Sequence, residues 1–206
     1  MMLVLAAGAG FAWDAAVIRY ARHLRAQDYR TYLSAADQAM KQHDLPRAVG
    51  QLGEALRLAP QEPQVHKVTG DVYYGAGKWE RAVAAYTKAI ELGSPELGAR
   101  TNMLWALVEL GRNDEAVAFG QAALADGFTS PAISRYIAVA YWRAGKHAEA
   151  IPHLEEALKG YSNDLYLMDH LRQAYRSTGA TEKAEEIEVR IAATENSLNA
   201  GARPEK

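Results

Sequence analysis

The side chains in this sequence with catalytic or metal-binding chemistry are six histidines, at positions 23, 43, 66, 147, 153 and 170, and clustered carboxylates at Glu155, Glu156, Glu182, Glu185 and Glu186. Zinc held on a helix needs two histidines four residues apart with a glutamate beside the first. No two of the histidines have that spacing, so they read as surface or turn positions. The carboxylates lie within a turn or two of Lys159, Lys183 and Arg190, the pattern of a solvated helix face. LAAGAGFAW at 5–13 contains Gly-x-Gly, but the third glycine of a dinucleotide loop is missing and no strand–helix–strand pattern follows. Absence of cysteine excludes disulfides, thiolate nucleophiles and sulfur-ligated zinc or iron. Nothing assembles a nucleophile, a base and an oxyanion donor. The expectation is a protein that is not an enzyme, with no cofactor, no metal and no small-molecule substrate.

Composition narrows the class further. A chain of 206 residues, 49% hydrophobic and 23% charged, is long enough to bury a core. A net charge of −2 offers no basic stripe to neutralise phosphates, so nucleic-acid binding has no electrostatic support.

Organisation comes from a repeat. The phrases HDLPRA (43–48), GKWERA (77–82), GRNDEA (111–116), GKHAEA (145–150) and GATEKA (179–184) place Ala48, Ala82, Ala116, Ala150 and Ala184 at intervals of 34 residues without an insertion. Each phrase stands between two segments with apolar residues three and four apart, such as VHKVTGDVYYGA before and AVAAYTKAIEL after. That periodicity predicts a helical hairpin in every unit. The glycines at 77, 111, 145 and 179 fit the position just past the first helix, where a left-handed turn penalises a Cβ. His43 holds that place in the first unit and is expected to be strained or reshaped there.

These spacings resemble the tetratricopeptide repeat, a 34-residue unit with a small residue and an aromatic in its first helix and Ala, aromatic, Ala in its second. The second unit carries Gly70, Tyr73, Ala82, Tyr86 and Ala89; the fourth Ala138, Tyr141, Ala150, Leu154 and Ala157; the first Ala36, Ala48, Leu52, Ala55 and Pro60. The resemblance implies an all-α fold, an α-solenoid of five tetratricopeptide-type hairpins at 29–62, 63–96, 97–130, 131–164 and 165–198. An N-terminal hydrophobic helix would precede them in 1–28, and a flexible tail follow in 199–206. Two units depart from the pattern. The third has Leu104 where a small residue belongs and Gly120 where a large one belongs, which reads as a volume swap. The fifth has Arg172, Glu188 and Ile191 at the small, aromatic and alanine positions, which reads as a solubilising terminal cap.

In the family, the first helix of each unit lines a concave groove. Carried to this chain by resemblance, the groove positions are Met40, Lys67, Asp71, Tyr74, Trp105, Val108, Arg135, Val139, Trp142, Arg143, Asp169 and Arg176. Trp, Tyr and Arg are the residue types that anchor protein interfaces. The carboxylate clamp with which some members grip an acidic C-terminus would need Lys, Asn, Asn, Lys and Arg. Its positions here hold Lys67, Asp71, Asn102, Ala132 and Tyr136, and an Asp in the clamp repels a carboxylate. The expected partner is a protein that presents a peptide or helix with apolar side chains.

The opening segment lies outside the repeat. Met1–Ile18 carries one charge, Asp14, and is followed by Arg19, Arg22 and Arg25. About 18 apolar residues is near the lower limit for a membrane span, and downstream arginines would hold the repeats in the cytoplasm. Asp14 opposes insertion by about 2.5–3.5 kcal/mol at mid-bilayer. Three readings fit the segment: a membrane anchor, a helix capping the first hairpin or buried in a partner, and a secretory signal, which would lack its basic n-region. The sequence therefore points to an interaction scaffold or assembly factor, membrane-associated with its repeats facing the cytoplasm. A soluble cytoplasmic adaptor or chaperone and a permanent subunit of a larger complex are the alternatives. On the anchor reading, deleting residues 1–18 moves the protein from the membrane to the soluble fraction, with mean residue helicity by circular dichroism unchanged; a full-length chain already monomeric without detergent excludes the anchor.

Overall fold

The computed structural model describes Val17 and residues 28–201. Val17 is helical and exposed, and the expected hydrophobic helix of 1–28, with its membrane-spanning role for residues 1–18, otherwise lies outside the described residues, as do tail positions 202–206. All regular structure among the described residues is helical. The helices are α1 (28–41), α2 (Leu45–Leu58), α3 (Pro63–Gly75), α4 (Trp79–Glu91), α5 (Leu97–Glu109), α6 (Asn113–Ala125), α7 (Pro131–Arg143), α8 (His147–Gly160), α9 (Leu165–Ser177) and α10 (Thr181–Gly201). None of them is long and apolar enough to cross a membrane. They form two compact units, one ending at Pro95 and one starting at Glu96.

Starts and stops follow local chemistry. Pro63 and Pro131 open α3 and α7, where a missing N–H costs nothing. Asp44, Ser130 and Asp164 accept from the backbone N–H groups of Arg47, Ala132 and Leu167, as N-caps should. At the hairpin turns Gly77, Gly111, Gly145 and Gly179 have φ of +65° to +79°. The first turn keeps the same left-handed shape with His43 at φ +58°, so this residue is strained, not reshaped. The turn is held because the His43 N–H donates to the Met40 carbonyl and the Asp44 N–H to the Ala39 carbonyl, both at 2.9 Å; Gly77 and Lys78 repeat that pair of bonds to Tyr74 and Tyr73.

In the first unit, Leu33, Ala36 and Ala39 of α1 pack with Ala48, Leu52 and Ala55 of α2 and with Val65 and Val72 of α3. Between α3 and α4, the fully buried Tyr86 ring occupies the space a Cβ on Gly70 would need, at 2.5 Å. In the second unit, α5 packs on α6 and α7, and α7 to α10 each pack on the next. Ala138, Ala150, Leu154 and Ala157 join Leu167, Met168, Leu171 and Ala174 in one core. The alanines that mark the repeat, Ala48, Ala82, Ala116, Ala150 and Ala184, are all buried.

The two departing units have physical explanations. A Cβ on Gly120 would lie 3.2 Å from Leu104 Cδ2, so the exchanged pair does meet, and 2.5 Å from Ile137 Cγ1, so the next hairpin fills most of the vacated volume. In the last hairpin Arg172 and Glu188, which replace the small and aromatic residues, face each other at 3.8 Å, and Arg176 also pairs with Glu188. Charge takes the place of packing where α10 turns a mostly exposed surface to solvent. Helix α10 runs on to Gly201, so positions 199–201, placed in the tail by the sequence reading, are helical.

Two outcomes follow for stability. A non-glycine residue in the left-handed turn costs about 1–2 kcal/mol, offset by glycine's larger unfolded-state entropy; His43→Gly should raise unfolding stability in urea by about 0.5–1 kcal/mol. Leu104→Ala should cost about 2–5 kcal/mol and Gly120→Leu about 1–3, and the double variant should fall only slightly below their sum, because the tighter contact at Gly120 is with Ile137 and not with Leu104.

Candidate functional site

The positions assigned to the groove fall on the first helices of the hairpins. In the first unit, Met40, Lys67 and Asp71 line one cleft of about 270 Å³ together with Leu33 and Val68. The Lys67 ammonium pairs with the Asp71 carboxylate at 2.9 Å, and the same Asp71 accepts from the Tyr86 hydroxyl at 2.8 Å. The lysine of the would-be clamp thus already has a carboxylate of its own chain. Tyr74 does not line this cleft; its ring meets Trp79 edge-on at 5.4 Å across the hairpin turn.

In the second unit, α5, α7 and α9 present rings in two groups. Trp105 tilts against Tyr136 at 5.3 Å, and the Arg143 guanidinium lies 5.7 Å from the Trp105 centroid. Arg143 is held there by donating to the Val108 carbonyl at 2.8 Å and to Glu109 at 3.0 Å. Trp142 is flanked by His147 at 4.1 Å and His170 at 4.3 Å, and His170 packs on Tyr166 at 4.0 Å. A hydrogen bond of 2.7 Å to the Tyr166 carbonyl fixes the His170 ring through Nδ1. The Trp and Tyr rings of these groups are half-buried or exposed, large apolar areas with directional polar ends.

Two groove assignments are corrected. Val108 is 0% and Val139 3% exposed; both belong to the buried core, Val139 within the buried run Ile137–Ala140 and Val108 next to the buried Leu107. The charged positions are each engaged within the chain. Arg135 pairs with Asp164 at 3.2 Å and lies over the Tyr161 ring. Asp169 accepts from Arg172 and Gln173, and Arg176 pairs with Glu188. The hydrogen bond from Arg172 holds the Asp169 carboxyl below the usual carboxylate range, and burial pushes the Tyr136 phenol up, so one stays ionised and the other protonated.

Sequence reasoning leaves out His147, His170 and Tyr166. One signal was available for His170: it stands 34 residues after Tyr136, at the same repeat position. For His147 there was none, since its contact with Trp142 depends on the path of the turn between α7 and α8. The site offers ring faces and neutralised charge, and among the described residues no cluster of three or more metal-ligating side chains forms.

Comparison with known proteins agrees with this geometry. The chain is 27% identical over 177 residues to cellulose synthase operon protein C of Xanthomonas axonopodis pv. citri (strain 306), and spans only 11% of that protein's length while 80% of the chain is covered. Among solved structures, the MamA 41-end protein from Desulfovibrio magneticus RS-1 superposes with a TM-score of 0.72 at 16% identity, covering 82% of this chain and 96% of that one. YrrB, a TPR protein with an unusual peptide-binding site, superposes with a TM-score of 0.68 at 18% identity, covering 84% and 91%. Likeness at such low identity carries the fold, an all-helical array of tetratricopeptide type. The sequence model of the tetratricopeptide repeat matches residues 3–196, and the chain belongs to the tetratricopeptide repeat family.

Proposed function

We propose that this chain is a non-catalytic interaction scaffold or assembly factor, and that the face formed by α5, α7 and α9 captures a protein partner through a peptide or helix bearing apolar side chains. The observation that carries this reading is the row of rings Trp105, Tyr136, Trp142, His170 and Tyr166, which are partly open on adjacent helices. Nearby charges are paired within the chain, so the face attracts neither an acidic nor a basic ligand strongly, and binding would draw on apolar area. Peptide binding by YrrB, on a similar fold, supports the same class of ligand. The first unit carries candidate contact residues of its own, Met40, the Lys67–Asp71 pair and Tyr74.

Tethering to a membrane through residues 1–18 is the finer version of this proposal, and it rests on their apolar composition alone. A soluble adaptor with the same binding face differs from it only in that segment, and a permanent subunit would differ in stoichiometry. The partner is isolated by a C-terminal tag on chains with and without residues 1–28. Trp142→Ala should then weaken capture by about 2 kcal/mol, roughly 30-fold. Because Trp142 also leans on the core of the second unit, this variant should lose some thermal stability. Tyr166, at 47% exposure, separates the two effects: Tyr166→Ala should keep the unfolding midpoint and still weaken capture by about 1 kcal/mol. Wild-type capture by both variants would overturn the assignment of this face.

A further inference from the structure

A second cleft, of about 460 Å³, is built from α6, α7 and α8, and no residue of α5 or α9 lines it. Its apolar walls are Leu124, Pro131 and Pro152. Its polar groups include Ser134, His153 and Glu156. Ser134 is 2% exposed, yet among the described residues its hydroxyl makes no side-chain hydrogen bond. At the cleft wall this hydroxyl is both a donor and an acceptor.

The backbone and the charge of the cleft disfavour an anion. Pro131 has no N–H, the Ala132 N–H donates to the Ser130 hydroxyl, and the Ile133 and Ser134 N–H groups donate to the Ser130 carbonyl. The first turn of α7 therefore has no free backbone donor to offer, and Glu156 adds negative charge. The cleft does present acceptors. Glu156 carries a carboxylate, Ser134 a hydroxyl oxygen, and His153, stacked on Tyr141 at 5.7 Å, a ring nitrogen. Burial holds the His153 imidazole below its ordinary range, so it is uncharged at neutral pH and keeps a lone pair. The cation now on Glu156 is Lys159, three residues along α8 and 71% exposed, a type of surface pair that contributes little and exchanges readily.

We propose that this cleft binds a primary alkylammonium group, its methylene stem against Leu124, Pro131 and Pro152 and its ammonium on Glu156, with Ser134 and His153 as the further acceptors. Lys159 then acts as a resident competitor for the same carboxylate. The group could be a lysine side chain of a partner polypeptide or a free aliphatic amine, which share this chemistry.

The test is an NMR titration of the full chain with butylammonium, N-acetyl-lysine methylamide and the uncharged N-acetyl-norleucine methylamide. The Ser134 amide and His153 ring signals should shift saturably with the two ammonium probes and not with norleucine. Glu156→Gln, a surface change confirmed as folded by circular dichroism, should weaken binding about tenfold. Lys159→Ala, which leaves the Glu156 carboxylate without its resident cation, should tighten it severalfold. Lysine derivative bound about tenfold better than butylammonium assigns the site to a polypeptide, and equal binding assigns it to free amines. Saturable shifts with norleucine, unchanged binding in Glu156→Gln, or no saturable shift at about 100 mM of either ammonium probe, a level well above a millimolar dissociation constant, would overturn the proposal.

Discussion

The Tyr86 ring lies where a Cβ on Gly70 would have to be, and that single steric relation sets how near α3 and α4 approach. The same two repeat positions meet in every hairpin. They are filled by Ala36 with Leu52 and by Ala138 with Leu154 in the two cores, by Leu104 with Gly120 in reverse order, and by Arg172 with Glu188 in the last hairpin. What is constant is the volume shared between two backbones, because an interior close to crystal density tolerates exchange of large for small but neither a void nor an overlap. Ile137, from the following hairpin, reaches into the space over Gly120, so within the second unit the sharing extends from one hairpin to its neighbour.

Helix spacing in turn decides which side chains are left for a partner. On α5 and α7 the core takes Val108 and Val139, and Trp105 and Trp142 are left half-buried at the edge of it. Each ring is then braced: Trp105 by Tyr136 and Arg143, Trp142 by His147 and His170. Bracing lowers the rotamer entropy lost when a partner binds. Pairing of Arg135, Arg143, Asp169 and Arg176 within the chain removes the long-range attraction that free charges would exert. On the proposed function, such a surface would select by shape and apolar area, which suits a scaffold that must hold one segment without collecting unrelated acidic or basic chains.

The cleft between α6 and α8 has the opposite character. Its polar groups are hydroxyls, an imidazole and a carboxylate, its walls are prolines and leucine, and the carboxylate pairs with the exposed Lys159. Two surfaces on one unit with different chemistry allow a scaffold to hold two different groups at once, a use that follows from stacking hairpins rather than closing a single core.

The sequence by itself determined the number and phase of the hairpins, since a 34-residue interval with buried alanines leaves one way to fold each unit locally. It also determined the left-handed turns, including the strained one at His43, because backbone sterics act within a few residues. Of the twelve positions carried over to the groove, ten are open or half-open and Val108 and Val139 are buried; how much of a helix is covered depends on the helices packed against it, which its own periodicity does not state. Tertiary structure alone decided what touches what across hairpins. Trp142 between His147 and His170, Ile137 over Gly120, and an unpartnered Ser134 hydroxyl beside His153 all join residues on different helices, where the relative placement of two backbones, and not the order of residues along one, sets the distance.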